Sequence, residues 1–208
     1  MTRLTGVELS ITTKIDLDEP TVGGGFITWF RFQIQQEADR EDESPPKSEM
    51  VGQGQIAIVH LSMIADAEAK VWATLDADSS EMEALYSVYF EEDDLRGEFT
   101  AGFGHDLLYI REVLIEPAWQ GRNVELAAVR RLCDTVGYGC EIAVIPYSSM
   151  QEVRAWERMG FEVSTPGKRS GLMHMNLGFS YPRIVDPDGT GRFKVMPNLS
   201  QEEREKHH

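Results

Sequence analysis

The chain has 208 residues, and its 35 acidic against 20 basic side chains give a formal net charge of −15, so its surface repels nucleic-acid phosphates. No apolar run approaches the roughly 18 residues a membrane span needs, and no basic-then-apolar leader opens the sequence. The length suits one domain with appendages. Cys133 and Cys140 read as unpaired core thiols of a cytoplasmic protein.

Leu4–Leu17 alternates in part, with Val7, Leu9, Ile11 and Ile15 set among Thr and Ser, as a strand with one buried face does. Gly23-Gly24-Gly25 punctuates it, and the aromatic run Phe26–Ile34 reads as a second strand. Residues 37–50 hold Pro45-Pro46 and clustered acids, the composition of a mobile, solvated loop. Gln55–Ile64 returns as a third strand, antiparallel to the second. Ala65–Leu75 is helical in composition. Ser80 with Glu83 forms a capping box ahead of a stripe of Met82, Leu85, Tyr86 and Tyr89 at helical spacing. Glu91-Glu92-Asp93-Asp94 then reads as a solvated acidic end, and Gly97–Gly104 as a connector.

The densest pattern lies between Leu107 and Phe161. The apolar run Leu107–Ile115 is a strand, and a turn, Glu116–Arg122, feeds an amphipathic helix over Asn123–Val136. That helix sets Leu126, Val129, Leu132, Cys133 and Val136 on one face and ends at Gly137 and Gly139. Ile142–Ile145 is a second buried strand. A long helical crossover between two apolar strands is what parallel pairing requires. The turn before the helix is also where unpaired backbone N–H groups and the helix dipole can hold an anion. Ser149 and Glu152 form another capping box, Val153 and Trp156 face inward, and Gly160 caps the helix with Phe161 packing back. Glu162–Ser164 and Leu172–Phe179 read as strands joined by a turn at 165–171. Residues 1–180 then form one domain and 181–208 an irregular arm, with His207-His208 the trace of a purification tag.

The order and wording of Val113–Phe161 resemble the GNAT superfamily of acyl-CoA-dependent N-acyltransferases. In that family a strand ending Leu/Val-x-Val/Ile-x-Pro pairs with the pantetheine arm, and Val113-Leu114-Ile115-Glu116-Pro117 fits it. The next turn, Gln/Arg-x-x-Gly-x-Gly/Ala, binds pyrophosphate, and Gln120-Gly121-Arg122-Asn123-Val124-Glu125 aligns with it. The family's later helix ends Tyr-Glu-Lys-Leu-Gly-Phe, and Trp156-Glu157-Arg158-Met159-Gly160-Phe161 is similar. The resemblance implies an α/β (α+β) fold, with a mixed, splayed central sheet flanked by helices. It implies acetyl-CoA or another acyl-CoA as co-substrate, and no metal. Val113, Leu114, Ile115, Gln120–Glu125, Ser149 and Trp156 would lie along the co-substrate.

Departures from the family pattern fall on the site itself. Asn123 stands where the family has a phosphate-approaching glycine, and Asn tolerates left-handed backbone. Glu125 stands where the family has a small residue, and its carboxylate competes with pyrophosphate for the positive helix end. Trp156 replaces the tyrosine that protonates the leaving thiolate, and Ser149 takes the place of an Asn. Amide formation needs a neutral amine and therefore a base; Glu112 and Glu116 are the candidate bases and Tyr147 the substitute acid. His105 and His174 read as structural, and no Cys, His or Asp spacing suggests a metal site. The expected function is N-acyl transfer to an amine, cationic if the acidic surface selects it, either a small molecule or a basic protein or peptide. The chain would act without nucleic acid or membrane, with a homodimer as its compatible assembly. The alternative is a catalytically inactive GNAT-like binding or regulatory protein that acts through a protein partner.

Overall fold

Apolar alternation in the strands and apolar stripes on the helices build one sheet between two helical layers. The computed structural model describes residues 7–13, 25–37, 48–100, 104–179 and 181–196. In chain order they form β1 (Val7–Thr13), β2 (Ile27–Glu37), β3 (Ser48–Val59), α1 (Leu61–Asp66), α2 (Val71–Asp78), α3 (Ser80–Tyr89), β4 (Phe90–Glu91) and β5 (Asp94–Leu95). There follow β6 (Asp106–Ile115), α4 (Val124–Thr135), β7 (Cys140–Pro146), α5 (Met150–Glu157), α6 (Thr165–Ser170), β8 (Leu172–Asn176), β9 (Arg183–Val185) and β10 (Lys194–Met196). The main sheet runs β1-β2-β3-β6-β7-β8. Only the β6–β7 pair in it is parallel. The mixed sheet flanked by helices is the architecture expected from the sequence.

Because successive strand residues point to opposite faces, β6 feeds both layers. Leu107 and Tyr109 pack with Leu75, Met82, Leu85 and Tyr89 beneath α1–α3. Leu108 and Ile110 pack with Leu126, Val129, Leu132 and Trp156 beneath α4 and α5. Each fully buried Leu or Val stabilises by about 1.5–3 kcal/mol relative to exposure, so these two layers fix where β6 and β7 lie. No helix among the described residues is long and apolar enough to cross a membrane.

Two features of β6 position the site. Its pairing with β7 stops at Tyr109↔Val144, although the strands continue to Ile115 and Pro146, so the parallel pair opens into a wedge. Its pairing with β3 slips by one residue between Ile110↔Ile56 and Glu112↔Gln55, which leaves Arg111 as a bulge. The bulge reverses the alternation, so Val113 and Ile115 join the layer under α4 and Leu114 stays 52% exposed. Gly54 makes this possible, because a Cβ there would collide with the Glu112 carbonyl and the Phe32 ring.

Several boundaries differ from the sequence reading, each for a local reason. The run Gln55–Ile64 does not stay extended, because the backbone turns at His60 and α1 begins at Leu61. The His60 ring is tied to Thr28 Oγ1 at 2.9 Å and to Asp106 Oδ2 at 3.3 Å. The expected helix over Ala65–Leu75 is broken in two by Glu68 at φ 53°. Ser79 rather than Ser80 caps α3, its Oγ accepting from the Met82 N–H at 3.3 Å. The stretch Glu91–Asp94 is a β4–β5 hairpin turned through Glu92 and Asp93 at positive φ, not a fraying end. Of Glu162–Ser164 only Glu162 bridges β8, and Ser164 caps α6. The segment after Tyr181, expected to be irregular, carries the β9–β10 hairpin. Most of the 37–50 loop, residues 38–47, and His207-His208 lie outside the described residues.

Candidate functional site

The wedge between β6 and β7 is a cleft of about 500 Å³. Arg111, Glu112, Val113 and Leu114 line it from β6, Ile145 and Pro146 from β7, Glu125 from α4, and Ser149, Gln151, Glu152, Ala155 and Trp156 from the start and inner face of α5. Trp156, 7% exposed, forms an apolar wall and sits edge-on to Phe161 with ring centroids 6.0 Å apart. The N-termini of α4 and α5 therefore both reach the cleft.

The turn into α4 is built as an open loop. Gly121 adopts φ +73° with nothing within 4 Å of where a Cβ would stand, and Asn123 follows at φ 57°, ψ 28°. Asn123 makes no side-chain cap to its helix. Its Nδ2 donates instead to the Phe193 carbonyl at 2.7 Å, and its Oδ1 accepts from Arg158 at 3.2 Å. The Phe193 N–H donates to the Arg122 carbonyl at 2.9 Å. The segment between β9 and β10 thus holds the turn from outside, with Gly191 packed against the Trp119 ring. Arg122 stacks on the same indole, its guanidinium carbon 4.4 Å from the Trp119 ring centroid. Gln120 folds back so that Nε2 donates to the Ile115 carbonyl at 3.2 Å. The first-turn amides of α4 have no side-chain cap.

The second helix end carries a side-chain cap. The Glu152 N–H donates to Ser149 Oγ at 3.2 Å, and the Glu152 carboxylate accepts from the Ser148 N–H at 2.7 Å. The expected capping box forms, with Ser148 in place of the cap residue as the partner of the carboxylate.

The charges in the cleft are mostly negative. Glu112 and Glu125 have no hydrogen-bond or ion-pair partner among the described residues, whereas Arg111 is held by Glu81 (Nε to Oε2, 2.9 Å; Nη2 to Oε1, 3.1 Å) and lies over Trp29. Arg111 reaches the cleft only because of the bulge, and no sequence signal marks it. Gln151 and Ala155 were likewise invisible in the sequence, since they follow from where α5 docks.

The predicted residues separate accordingly. Glu112, Val113, Leu114, Glu125, Ser149 and Trp156 come together in the cleft. Gln120, Gly121, Arg122, Asn123 and Val124 form the turn at its α4 end, with Val124 buried in the core. Ile115 packs inward, and Glu116 is exposed beyond the strand end, where its N–H donates to the Val51 carbonyl at 2.9 Å. Neither lines the cleft. Tyr147 does not line it either, as its hydroxyl is directed at the Lys168 carbonyl, 3.4 Å away. Cys133 and Cys140 are free, buried thiols. Burial pushes each up to about 12, so they rest protonated. Among the described residues no group of His, Cys, Asp and Glu side chains could hold a metal ion.

No family model and no curated protein matches the chain. Among solved structures it is similar to the apo form of a mutant agmatine N-acetyltransferase, with a TM-score of 0.37 and 12% identity over 81% of this chain and 100% of that one.

Proposed function

We propose that the chain is an N-acyltransferase that moves an acetyl or other acyl group from acyl-CoA to an amine. The observation that supports this most is the wedge itself. Two parallel strands part beside the N-terminus of α4, so the cleft has a strand edge unpaired with β7 at Val113 and Leu114 and, at its α4 end, a turn whose amides have no partner among the described residues. A long thioester co-substrate needs both: a polar strand edge for its amide-bearing arm and an anion site for its phosphates. Glu112 is the base of this reading, because it lines the cleft with no partner of its own. It takes the proton of the incoming ammonium, and the freed amine forms a C–N bond to the thioester carbonyl carbon. The nitrogen of the tetrahedral adduct gives up its second proton as the C–S bond breaks, and that proton, passed through solvent, neutralises the leaving thiolate. An acidic lining suits a cationic acceptor.

A second reading has its own observation. The tyrosine offered as acid, Tyr147, turns its hydroxyl to Lys168, and Trp156 presents no O–H. On this reading the cleft binds acyl-CoA or CoA without turnover, and the protein acts on a partner. Calorimetric titration with acetyl-CoA and with CoA, followed by a thiol-release assay over a panel of alkylamines, separates the two. Micromolar binding with amine-dependent thiol release, lost in Glu112→Gln while binding persists, supports the enzyme. Binding without release supports the regulator, and no binding at millimolar ligand overturns both.

A further inference from the structure

The direction of Glu112 depends on the bulge beside it. Regular alternation from Leu108 and Ile110 would turn Glu112 toward α4, and a one-residue slip sends every later side chain to the other face. The slip between Ile110↔Ile56 and Glu112↔Gln55 puts Val113 and Ile115 into the α4 layer instead, so Glu112 takes the opposite face. The extra residue of a bulge has no place in the ladder, so Arg111 is left to be held by its side chain. Glu81 takes the guanidinium as a fork, Nε to Oε2 at 2.9 Å and Nη2 to Oε1 at 3.1 Å. Arg111 Nη1 donates to Gln55 Oε1 at 3.2 Å, and Gln55 is the residue opposite Glu112 across the ladder. The guanidinium carbon lies 5.7 Å from the Trp29 ring centroid, and Trp29 Nε1 donates to Asp78 Oδ1 at 3.1 Å. Asp78 ends α2, and Glu81 stands in the first turn of α3, whose start is capped by Ser79. The corner between the two helices therefore grips the sheet at the bulge.

We propose that Arg111 is a positioning residue for the base: gripped by Glu81, it holds the bulge and with it the direction of Glu112 into the cleft. This role rests on Glu112 being the base of the proposed acyl transfer. Arg111 lines the cleft next to Glu112, but its fork is taken by Glu81, so it acts through its neighbour and not on the substrate. Gly54 permits the bulge, and the α2–α3 corner fixes the residue that bulges. The two side chains are 42% and 43% exposed, and an ion pair so open to water adds little to stability. What the fork supplies is direction, because two parallel N–H···O bonds fix the plane of the guanidinium. A catalytic group displaced by about 1 Å can cost roughly a hundredfold in rate. A contact that is weak for stability is therefore decisive for turnover. Lysine cannot take this place, because a single ammonium has no planar fork.

The test is a double-mutant cycle on the full chain, read by amine-dependent thiol release from acetyl-CoA at neutral pH. It is followed long enough to record the residual turnover of Glu112→Gln, which draws on the small share of neutral amine. Glu81→Gln in the wild-type background should lower kcat roughly tenfold, with the KM for acetyl-CoA and the urea midpoint unchanged. In the Glu112→Gln background the same substitution should change nothing further, because a residue that acts through Glu112 then has nothing to position. Arg111→Lys, which keeps the charge and loses the fork, should show the same loss of kcat. An unchanged kcat in Glu81→Gln, an equal loss in both backgrounds, a loss that falls on KM, or a lowered urea midpoint in both Glu81→Gln and Arg111→Lys each overturns the positioning role. With wild-type turnover intact, those results leave the reading of the cleft standing. Absent turnover in wild type, or full activity in Glu112→Gln, overturns Glu112 as the base and the role of Arg111 with it.

Discussion

The helices α4 and α5 both aim their N-termini at the same cleft and treat them in opposite ways. In α5 the cap is made within the chain: Ser149 Oγ takes the Glu152 N–H and the Glu152 carboxylate takes the Ser148 N–H. In α4 the residue that would normally cap, Asn123, holds a left-handed backbone, and both ends of its side chain bond elsewhere, to Phe193 and Arg158. A helix end that is left uncapped carries free N–H groups and a partial positive charge. The difference is that α5 carries a side-chain cap at its N-terminus and α4 carries none, which on the proposed function makes α4 the anion-binding end. The N-terminus of α2 extends the contrast, since it is closed from a distance by Asp93 of the β4–β5 turn, which accepts from the Val71 N–H at 2.9 Å and the Trp72 N–H at 3.4 Å.

The strongest way to break this contrast is Asn123→Val. A β-branched residue at φ 57° pays the left-handed penalty of about 1–2 kcal/mol, and two hydrogen bonds of about 1 kcal/mol each are lost. Urea denaturation should show about 3 kcal/mol of destabilisation, and acyl-CoA affinity should fall with it. Asn123→Gly keeps the backbone and should cost only the hydrogen-bond part. Equal losses in the two variants would show that the left-handed turn is not what the site requires. Next in size is Ser149→Ala, which removes the α5 cap and should cost about 1 kcal/mol while leaving acyl-CoA affinity unchanged. A matching loss of affinity would mean that α5 takes part in binding after all.

The Asp93 cap makes a pH-dependent version of the same point. Burial alone would raise its pKa, but the hydrogen bond from Lys70 and those from the Trp72 and Val71 N–H groups hold it below the ordinary carboxylate value. A depressed carboxylate adds stability that is complete above the unfolded pKa, about 3.9, and lost as pH falls through the lower folded value. Wild type should therefore exceed Asp93→Asn in stability at neutral pH by a modest margin, and the two curves should converge as pH falls below about 4. Parallel curves down to acid pH would remove Asp93 as the α2 cap.

How much of this was legible in the sequence depends on whether the signal was local. The apolar runs of β6 and β7, the stripe of α4, the Ser149–Glu152 box and the Gly160–Phe161 ending are short-range patterns, and each appears where the pattern puts it. The wedge could be expected only through family resemblance, because where two parallel strands part is set by how α4 and α5 dock. Choosing Ser80 over Ser79 failed because two adjacent serines offer the same chemistry, and backbone geometry decides between them. The acids Glu91–Asp94 read as a solvated end because no rule of spacing links Asp93 to an N–H more than 20 positions earlier. The bulge at Arg111 and the return of Phe193 onto Arg122 and Asn123 have the same origin: they are contacts between segments far apart in the chain. For that reason the residues of the cleft were partly found, while the atoms that hold its turn open were not.

The smallest expected effect is the sharpest, because it tests the α4 end directly. Glu125 sits in the first turn of α4 and lines the cleft without a partner. Its carboxylate is favourable to the helix dipole in the free protein and competes with any anion that binds there. Glu125→Ala should therefore do two opposite things. It should lower stability by about 0.3–1 kcal/mol, as read by urea denaturation. It should also tighten CoA binding by a comparable energy, roughly two- to fivefold by calorimetry, with the gain shrinking at high salt. The same substitution at Glu152, whose carboxylate is bonded to Ser148, should lower stability without any gain in affinity. If Glu125→Ala leaves CoA affinity unchanged or weakens it, the phosphates do not sit at the α4 amides, and the difference between the two helix ends is structural alone.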